Sequence, residues 1–307
     1  MKNRIHKIPI IMYHRILSKK DIDLFSSYSE IGSALEISDF IAQINFLNEK
    51  YSIISLSKLI AYLKGEVSIA LNSCVISFDD GYTEHYQNVF PVLNKLKLPA
   101  VFFIVGDCIS GTKKVRWLDK FYYILDNTPY QKNSSKFNEI ISAFYKTETK
   151  QDDSYKLNKL KTFIRNSSEK DEIIDCLSSA LNVRLNLDML NKKLYLSKEY
   201  ISEMLNNGME FGAHSMSHPD LSTITLENAK EEIVDSGIIV KDLTHKEEIP
   251  FAYPFGGQET YNENLIKMLK KNNFSCSLTS IPGINDVNTS LFELKRIDSA
   301  NLNAIKH

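Results

Sequence analysis

Short apolar runs that alternate with amphipathic stretches constrain the fold of this chain more than any other feature. Stretches with apolar residues at helical spacing, such as Phe40, Ile44 and Leu47, separate most of these runs. Strands that alternate with helices indicate a parallel sheet with crossover helices. The predicted strands are residues 8–13, 74–78, 100–105, 210–213, 249–253, 274–278 and 292–296. Seven or so strands over 307 residues predict an α/β fold, a (β/α) barrel that is either complete or incomplete, and not a β-sandwich.

Residues 107–200 break this alternation. They contain no convincing strand pattern, and lysine, asparagine, serine and aspartate accumulate there. Apolar residues still recur at helical spacing, as Phe137, Ile141 and Phe144 do. We predict a helical insertion within one connection between a strand and its helix. The alternative is a set of ordinary barrel helices with one strand overlooked.

Charge and apolar run length exclude several classes of protein. With 37 basic and 38 acidic side chains, the chain lacks the positive surface of a protein that binds nucleic acid or anionic membranes. The apolar run after the basic residues 1–7 meets His14 and Arg15 too early for a signal peptide. No run approaches the roughly 18 apolar residues of a membrane span. The four cysteines form no closely spaced pair, so we predict a cytoplasmic protein without a transmembrane segment.

Polar residues follow four of the predicted strands directly. His14 follows the first strand, and Asp79 and Asp80 follow the second. His214 follows the strand at 210–213, and the turn Tyr-Pro-Phe-Gly-Gly at 253–257 ends the next one. In a barrel of parallel strands, functional residues collect where the carboxyl ends of the strands meet the following loops. We therefore expect these side chains to face one another across the mouth of the barrel.

His214 and His218 have a spacing that suits a metal site. They are four residues apart, so a helical turn would place both imidazoles on one face. Neutral imidazole is a ligand for zinc and other late first-row metals, and a carboxylate is a common third ligand. The alternative is a pair of solvated histidines.

Asp79 and Asp80 stand at the end of an apolar strand, where two adjacent carboxylates repel unless a cation or donors hold them. The alternative is an ordinary polar turn completed by Gly81. Adjacent residues of an extended segment point to opposite sides, so one aspartate can bind a metal while the other acts as a base. This division suits metal-assisted hydrolysis, in which a backbone N–H of the turn after residue 253 could stabilise the oxyanion.

Three motifs, in this order, resemble those of the polysaccharide deacetylase family, the NodB-homology domain of carbohydrate esterase family four. Ser-Phe-Asp-Asp-Gly at 77–81 resembles the first motif, T/S-F-D-D-G, and His-Ser-Met-Ser-His at 214–218 resembles the second, H-S/T-x-x-H. Phe-Ala-Tyr-Pro-Phe-Gly at 251–256 is similar to a form of the third. The segments at 11–16 and 117–119 resemble a subgroup often found beside cell-surface sugar synthesis.

The resemblance implies a distorted (β/α)7 barrel that hydrolyses the N-acetyl group of a hexosamine unit. At the matching positions, Asp80, His214 and His218 would bind a divalent metal, usually zinc, with cobalt, nickel or manganese as alternatives. Asp79 would be the general base that activates the metal-bound water, and the Phe255 N–H would stabilise the oxyanion. The same resemblance implies that residues 1–307 form a single catalytic domain that contains the helical insertion.

The chain departs from the family pattern at two positions. Ala252 stands where many members have an arginine beside the catalytic aspartate, and Leu-Lys-Arg at 294–296 stands where a late motif supplies a histidine general acid. Arginine stays protonated, so Arg296 cannot be that acid. We hypothesise that Arg296 replaces the missing arginine and lowers the pKa of Asp79. His14 is then the leading candidate for the acid; the alternative is that it only shapes the site.

The sequence therefore predicts a metal-dependent carbohydrate N-deacetylase, a hydrolase of linear amide C–N bonds. Its substrate would be an amino sugar of a surface glycan, or of a lipid-linked or nucleotide-linked precursor. One alternative is a catalytically impaired carbohydrate-binding protein of the same fold, favoured by the missing histidine, and another is an amidohydrolase that acts on a non-sugar amide. Tyr253 would either form a pocket wall or contact a substrate hydroxyl, with Pro254 beside it in the substrate-binding turn.

Overall fold

A computed structural model describes residues 6–24, 26–30, 34–109, 111–130, 134–144 and 153–305. Residues 1–5, part of the basic start considered for an export signal, lie outside this set. The strands are β1 (Ile10–Tyr13), β2 (Arg15–Leu17), β3 (Ala34–Glu36), β4 (Ser52–Ile53), β5 (Ser73–Phe78), β6 (Val101–Ile104), β7 (Glu210–Ala213), β8 (Ile249–Ala252), β9 (Phe274–Pro282) and β10 (Leu294–Asp298).

The α-helices fill the connections between these strands. They are α1 (Lys19–Leu24), α2 (Ser26–Glu30), α3 (Ile37–Lys50), α4 (Leu56–Leu63), α5 (Phe90–Leu96), α6 (Trp117–Asn127), α7 (Ser135–Ala143), α8 (Asp153–Asn166), α9 (Lys170–Ala180), α10 (Leu187–Leu194), α11 (Lys198–Asn206), α12 (Leu226–Thr244) and α13 (Glu263–Lys271). A π-helical turn at His85–Val89 precedes α5, and short 3₁₀ turns lie at Gly106–Cys108, Gln258–Thr260 and Ser299–Ile305. Among the described residues, no helix has the length and apolar character needed to cross a membrane.

Seven parallel strands close into a barrel in the order β1-β10-β9-β8-β7-β6-β5, with β1 and β5 paired to complete the ring. The predicted (β/α)7 barrel is therefore confirmed, and each of the seven predicted strands corresponds to one barrel strand. Strand β4 pairs with the first two residues of β5, while β2 and β3 form a separate pair. These three strands were not predicted, because two or three residues are too few to show a period-2 pattern.

Strand residues alternate between the barrel interior and the layer beneath the helices. Phe78 and Phe102 stack at 4.8 Å in the outer layer, where Phe40 of α3 packs edge-on against Tyr13. This outer core also takes Ile44 and Leu47 of α3, as their helical spacing predicts. The inner core is formed by Ile10, Val75, Val101, Phe103, Ala252, Cys276, Leu278 and Leu294. The same alternation directs Asp79 and Arg296 inward, because each follows an inner residue by an even number of positions.

Helices α6–α10 lie between β6 and β7, in the segment where a helical insertion was predicted. They enclose a second apolar core around residues such as Phe121, Ile164 and Leu177, all of them buried. Tyr82, which follows β5, belongs to this same core. The insertion therefore packs against the loops at the mouth of the barrel. That the chain forms one catalytic domain stays a prediction.

Candidate active site

A cavity of about 180 Å³ lies at the carboxyl ends of the barrel strands. Its walls include the loops after β1, β5, β7 and β8, the four strand ends that the sequence marks with polar residues, together with residues of α2, α6, β9 and β10. It is lined by Met12, His14, Arg15, Tyr28, Asp79, Asp80, Tyr82, Arg116, Leu118, Tyr122, His214, His218, Tyr253, Phe255, Ser280 and Arg296. The structure thus brings together all of the predicted site residues except Pro254, which lies buried in the turn between two of them.

The turn after β5 separates the two carboxylates. Asp80 has a φ of 79° and Gly81 a φ of 69°, so the chain bends sharply through the left-handed region. A Cβ at Gly81 would lie 2.9 Å from Cγ2 of Ile104, which leaves room only for glycine. As a result Asp79 faces Arg296 on β10, while Asp80 faces the two histidines.

Asp79 and Arg296 form a buried, bidentate ion pair. Nη1 and Nη2 of Arg296 each donate to one carboxylate oxygen of Asp79, at 2.7 Å, and Nε donates to the Thr279 carbonyl at 2.7 Å. Burial alone would raise the pKa of Asp79, but the charge and hydrogen bonds of Arg296 lower it below its ordinary value. The geometry is the one required by the hypothesis that Arg296 takes the place of the arginine absent at Ala252.

Asp80, His214 and His218 form a compact group of possible metal ligands. Oδ1 of Asp80 lies 3.6 Å from Nε2 of His214 and 3.5 Å from Nε2 of His218, and one ligand atom from each residue lies within 4.8 Å of the others. Nδ1 of His214 donates to the Ala252 carbonyl at 2.7 Å, which leaves Nε2 with its lone pair.

This donor set fits a divalent cation. Burial, the largest effect, lowers the pKa of both imidazoles, for His218 to about 3, so both are neutral as metal ligands must be. A carboxylate and two neutral imidazoles are the ligands of many catalytic zinc sites, which keep a further position open. Among the described residues, these three form the one such group of histidine, cysteine and carboxylate side chains.

The prediction of a helical turn at His214–His218 is wrong. The segment is a bent loop in which Ser215 and His218 both have a φ of 61°. The His218 N–H donates to Oγ of Ser215 at 3.0 Å, and Glu232 of α12 accepts from the N–H groups of Met216 and Ser217, each at 2.8 Å. These side-chain acceptors compete with helical hydrogen bonds. The loop, and not a helix face, therefore brings the two imidazoles together.

His14 lies half-buried at the end of β1 and lines the cavity. Its backbone carbonyl accepts a hydrogen bond of 2.7 Å from Nε2 of His85, a fully buried residue of the π-helical turn. His85 thus anchors the main chain at His14 and leaves the His14 imidazole facing the site. This position suits either of the two roles considered for His14.

The turn after β8 contributes a wall and a backbone donor. The Tyr253 hydroxyl accepts from Ser277 at 2.9 Å and donates to the Phe292 carbonyl at 3.3 Å, so the ring forms a wall and its hydroxyl is occupied within the core. The Pro254 carbonyl accepts from the Gly256 N–H at 2.7 Å and closes the turn. Phe255 has a φ of 62°, and within the described part of the chain its N–H has no hydrogen-bond partner.

Arg116 is a buried residue of the site that the sequence analysis missed. Its guanidinium contacts the Asp80 carboxylate and pairs with Asp119 at 2.7 Å. Asp119 also accepts hydrogen bonds from the hydroxyls of Tyr28, Tyr82 and Tyr195. The Trp-Leu-Asp segment at 117–119 was the available signal, since Arg116 directly precedes it. This network ties the insertion to a predicted metal ligand.

A second link between the insertion and the site runs through Arg165 of α8. Its guanidinium lies 3.9 Å from the centroid of the Phe255 ring and pairs with Asp220 at 2.5 Å. The Phe255 ring in turn packs edge-on against His218. The insertion therefore shapes the mouth of the site from two sides.

One known protein of similar sequence is named as a putative polysaccharide deacetylase. The chain is 20% identical over 294 residues to "Putative polysaccharide deacetylase YxkH" of Bacillus subtilis (strain 168), covering 95% of this chain and 71% of that protein.

Solved structures share the fold at low sequence identity. The Streptococcus pyogenes deacetylase PplD, solved in complex with acetate, has a TM-score of 0.59 at 18% identity, covering 96% of this chain and 93% of PplD. IcaB from Ammonifex degensii has a TM-score of 0.58 at 16% identity, covering 98% of this chain and 95% of IcaB.

The polysaccharide deacetylase family model matches residues 70–148 and 152–277, a span that includes Asp79, Asp80, His214, His218 and the turn after β8. Membership of this family supports the interpretation of the chain as a hydrolase that acts on amide bonds of carbohydrates. Members of the family are generally metal-dependent. Because the match covers well over half of the chain, the chain belongs to the polysaccharide deacetylase family.

Proposed function

We propose that this chain is a zinc-dependent N-deacetylase of an amino sugar in a surface glycan or in a lipid-linked or nucleotide-linked precursor. The observation that carries the proposal is the Asp79–Arg296 ion pair, which lies directly beside the group of Asp80, His214 and His218. A base and a metal site in one cavity are what amide hydrolysis requires. We place the reaction in the cytoplasm, in keeping with the buried free thiols of Cys74, Cys108 and Cys276.

Asp79 is the general base of the proposed reaction. Arg296 keeps its carboxylate ionised and fixes its orientation, while each oxygen retains a lone pair that can accept the proton of the attacking water. A zinc ion held by Asp80, His214 and His218 would polarise the amide carbonyl and increase the acidity of the water. Asp79 stays outside the ligand group because the turn at Asp80 and Gly81 directs the two carboxylates apart.

The Phe255 N–H is the proposed donor to the oxyanion that forms when water attacks the carbonyl carbon. Phe255 lines the cavity with a φ of 62°, and a preorganised donor at this position needs no rearrangement in the transition state. Ser280 holds the turn in place, because its Oγ donates to the Phe255 carbonyl at 2.6 Å and its N–H donates to the Gly256 carbonyl at 2.9 Å.

His14 is the proposed general acid that protonates the leaving amine. Replacing it with alanine is expected to lower kcat by about 10²-fold, the lower end of the usual contribution of a positioned acid. Zinc content should stay unchanged, because His14 is outside the ligand group. Steady-state kinetics and elemental analysis measure the two effects, with His245→Asn at an exposed helix end as the control. Activity close to wild type in His14→Ala would remove His14 from the acid role.

A panel of amides tests the proposed function as a whole. Acetate release is measured for N-acetylglucosamine oligosaccharides, for UDP-N-acetylglucosamine and for an N-acetyllysine peptide, each with zinc and with a chelator. We expect release from at least one sugar and loss of that release with the chelator. Release from the peptide alone would favour the non-sugar amidohydrolase. Zinc binding without release from any substrate would favour the impaired carbohydrate-binding protein.

A further inference from the structure

A second and larger cavity, of about 440 Å³, opens beside the catalytic one. Its walls are formed by the loop that follows β6, by the starts of α6, α9 and α10, and by the turn at 217–219. Arg116 and His218 line both cavities, so the two spaces meet at these residues. Most of this wall therefore belongs to the helical insertion and its flanking loop and not to the barrel.

Positive charge is in excess in this second cavity. Four lysines line it against two aspartates, and the aspartates are already paired: Asp107 with Lys114 at 2.7 Å and Asp171 with Lys120 at 2.6 Å. Lys113 makes no ion pair within the described residues, and Nζ of Lys170 donates only to the Ser167 carbonyl, at 2.5 Å. Two ammonium groups are thus available to a ligand.

The loop that carries Lys113 is held in a fixed and unusual conformation. Asn191 of α10, which is completely buried, accepts from the Gly111 N–H at 2.6 Å and donates to the Lys114 carbonyl at 2.7 Å. Between these two anchors the backbone of Lys113 has a φ of 64°. Residues other than glycine and asparagine seldom adopt this left-handed conformation. A buried side chain therefore anchors the backbone on both sides of Lys113.

Trp117 contributes an apolar side chain to the wall of the same cavity. It is the one tryptophan of the chain, only 8% exposed, and it lies at the start of α6 next to Arg116. Aromatic rings of this kind commonly pack against the apolar face of a ligand while charged groups fix its orientation. The cavity therefore combines an aromatic side chain in its wall with excess positive charge.

We propose that this second cavity binds a phosphate group attached to the N-acetylated sugar, with Lys113 and Lys170 as its ligands. The inference rests on the proposed function, because it places the sugar in the catalytic cavity. That cavity, at about 180 Å³, is smaller than the roughly 300–1,000 Å³ of typical small-molecule sites, so the remainder of the substrate must lie outside it. Lysine is a point-charge ligand that suits phosphate, and two ammonium groups that make no ion pair within the described residues match a phosphate dianion.

Fluorescence of Trp117 gives a direct test that needs no turnover. The full-length protein is titrated with N-acetylglucosamine 1-phosphate and with neutral N-acetylglucosamine. The phosphate should be bound about 10-fold more tightly or better, as charge-assisted hydrogen bonds imply, and its binding should change the tryptophan emission. The variant Lys113→Asn/Lys170→Gln should lose this preference; asparagine is chosen because it tolerates the left-handed backbone at 113. Equal affinity for the two sugars would overturn the proposal.

The control variant is Lys58→Ala, an exposed lysine on α4. The first N–H groups of α4 donate to Glu210, which begins β7, so this lysine lies toward the opposite end of the barrel. It should keep the full preference for phosphate, and loss of the preference in this variant as well would contradict the assignment to Lys113 and Lys170.

Further ligands distinguish the possible sources of the phosphate and separate this inference from the proposed function. UDP-N-acetylglucosamine and a short-chain polyprenyl diphosphate N-acetylglucosamine carry a diphosphate at the same position of the sugar, and the one bound more tightly identifies the source. A preference for phosphate without acetate release from any sugar would support the cavity and contradict the deacetylase. Acetate release at equal kcat/KM from neutral and phosphorylated sugars would support the deacetylase and contradict the cavity.

Discussion

Replacing Asp79 with asparagine is expected to lower kcat by about 10³-fold, within the range of positioned general bases. Asparagine has nearly the same size but cannot accept a proton from water. In the wild type Nη1 and Nη2 of Arg296 hold the two oxygens of Asp79, whereas Asp80, the other carboxylate that lines the cavity, faces the two histidines. The measurement is acetate release under single-turnover conditions at saturating substrate.

The control for Asp79→Asn is its metal content. Zinc should remain at the wild-type level, because the ligand group consists of Asp80, His214 and His218. A variant that keeps zinc and loses activity separates the base from the ligands. Activity within about 10-fold of wild type would contradict the role of Asp79 as base, given the usual contribution of such a group.

Replacing Arg296 with methionine is expected to lower the free energy of unfolding by about 3–5 kcal/mol, the usual cost of removing one partner of a buried ion pair. Arg296 is 1% exposed and Asp79 is 2% exposed, so the remaining carboxylate would have no solvent to stabilise it. Urea denaturation of metal-free protein measures the loss. Activity should fall as well, since the orientation of Asp79 depends on the guanidinium.

Two further variants serve as comparisons for Arg296→Met. Arg184→Met changes an exposed arginine and should shift stability by no more than about 0.5 kcal/mol. Arg296→Lys keeps the positive charge but loses the planar, bidentate contact, so we expect intermediate activity. Full activity and stability in Arg296→Met would contradict the proposal that this residue replaces the arginine missing at Ala252.

The sequence was sufficient to predict the barrel and the polar residues that follow its strands at the mouth. The seven runs alternate with helices, and the parallel arrangement then requires their carboxyl ends to meet. For this reason the strand pattern alone predicts that His14, Asp79 and His214, far apart in the chain, share one cavity, as they do. Leu294 and Arg296 are two positions apart in β10 and therefore share one face of the strand, which the structure shows to be the inner one.

Loop conformation and contacts from the insertion could not be predicted. The spacing of His214 and His218 suggested a helix, but the left-handed backbone of Ser215 depends on Glu232, which is distant in the sequence and accepts from this loop. Arg116 lies in a segment whose position over the barrel is fixed by packing of its own second core. The contact between Asp80 and Arg116 arises from tertiary structure alone, so no periodic pattern in the sequence predicts it.

Zinc analysis of the purified protein tests the central claim most directly, because the proposed chemistry depends on a metal at Asp80, His214 and His218. Protein stripped with a chelator, incubated with zinc and desalted is measured by elemental analysis, together with His214→Ala, Asp80→Ala and Asp79→Asn. The account predicts about one zinc per chain in the wild type and in Asp79→Asn, and a loss of most of it in the other two variants. A wild type that holds no zinc, or a His214→Ala variant that holds as much as the wild type, would contradict it.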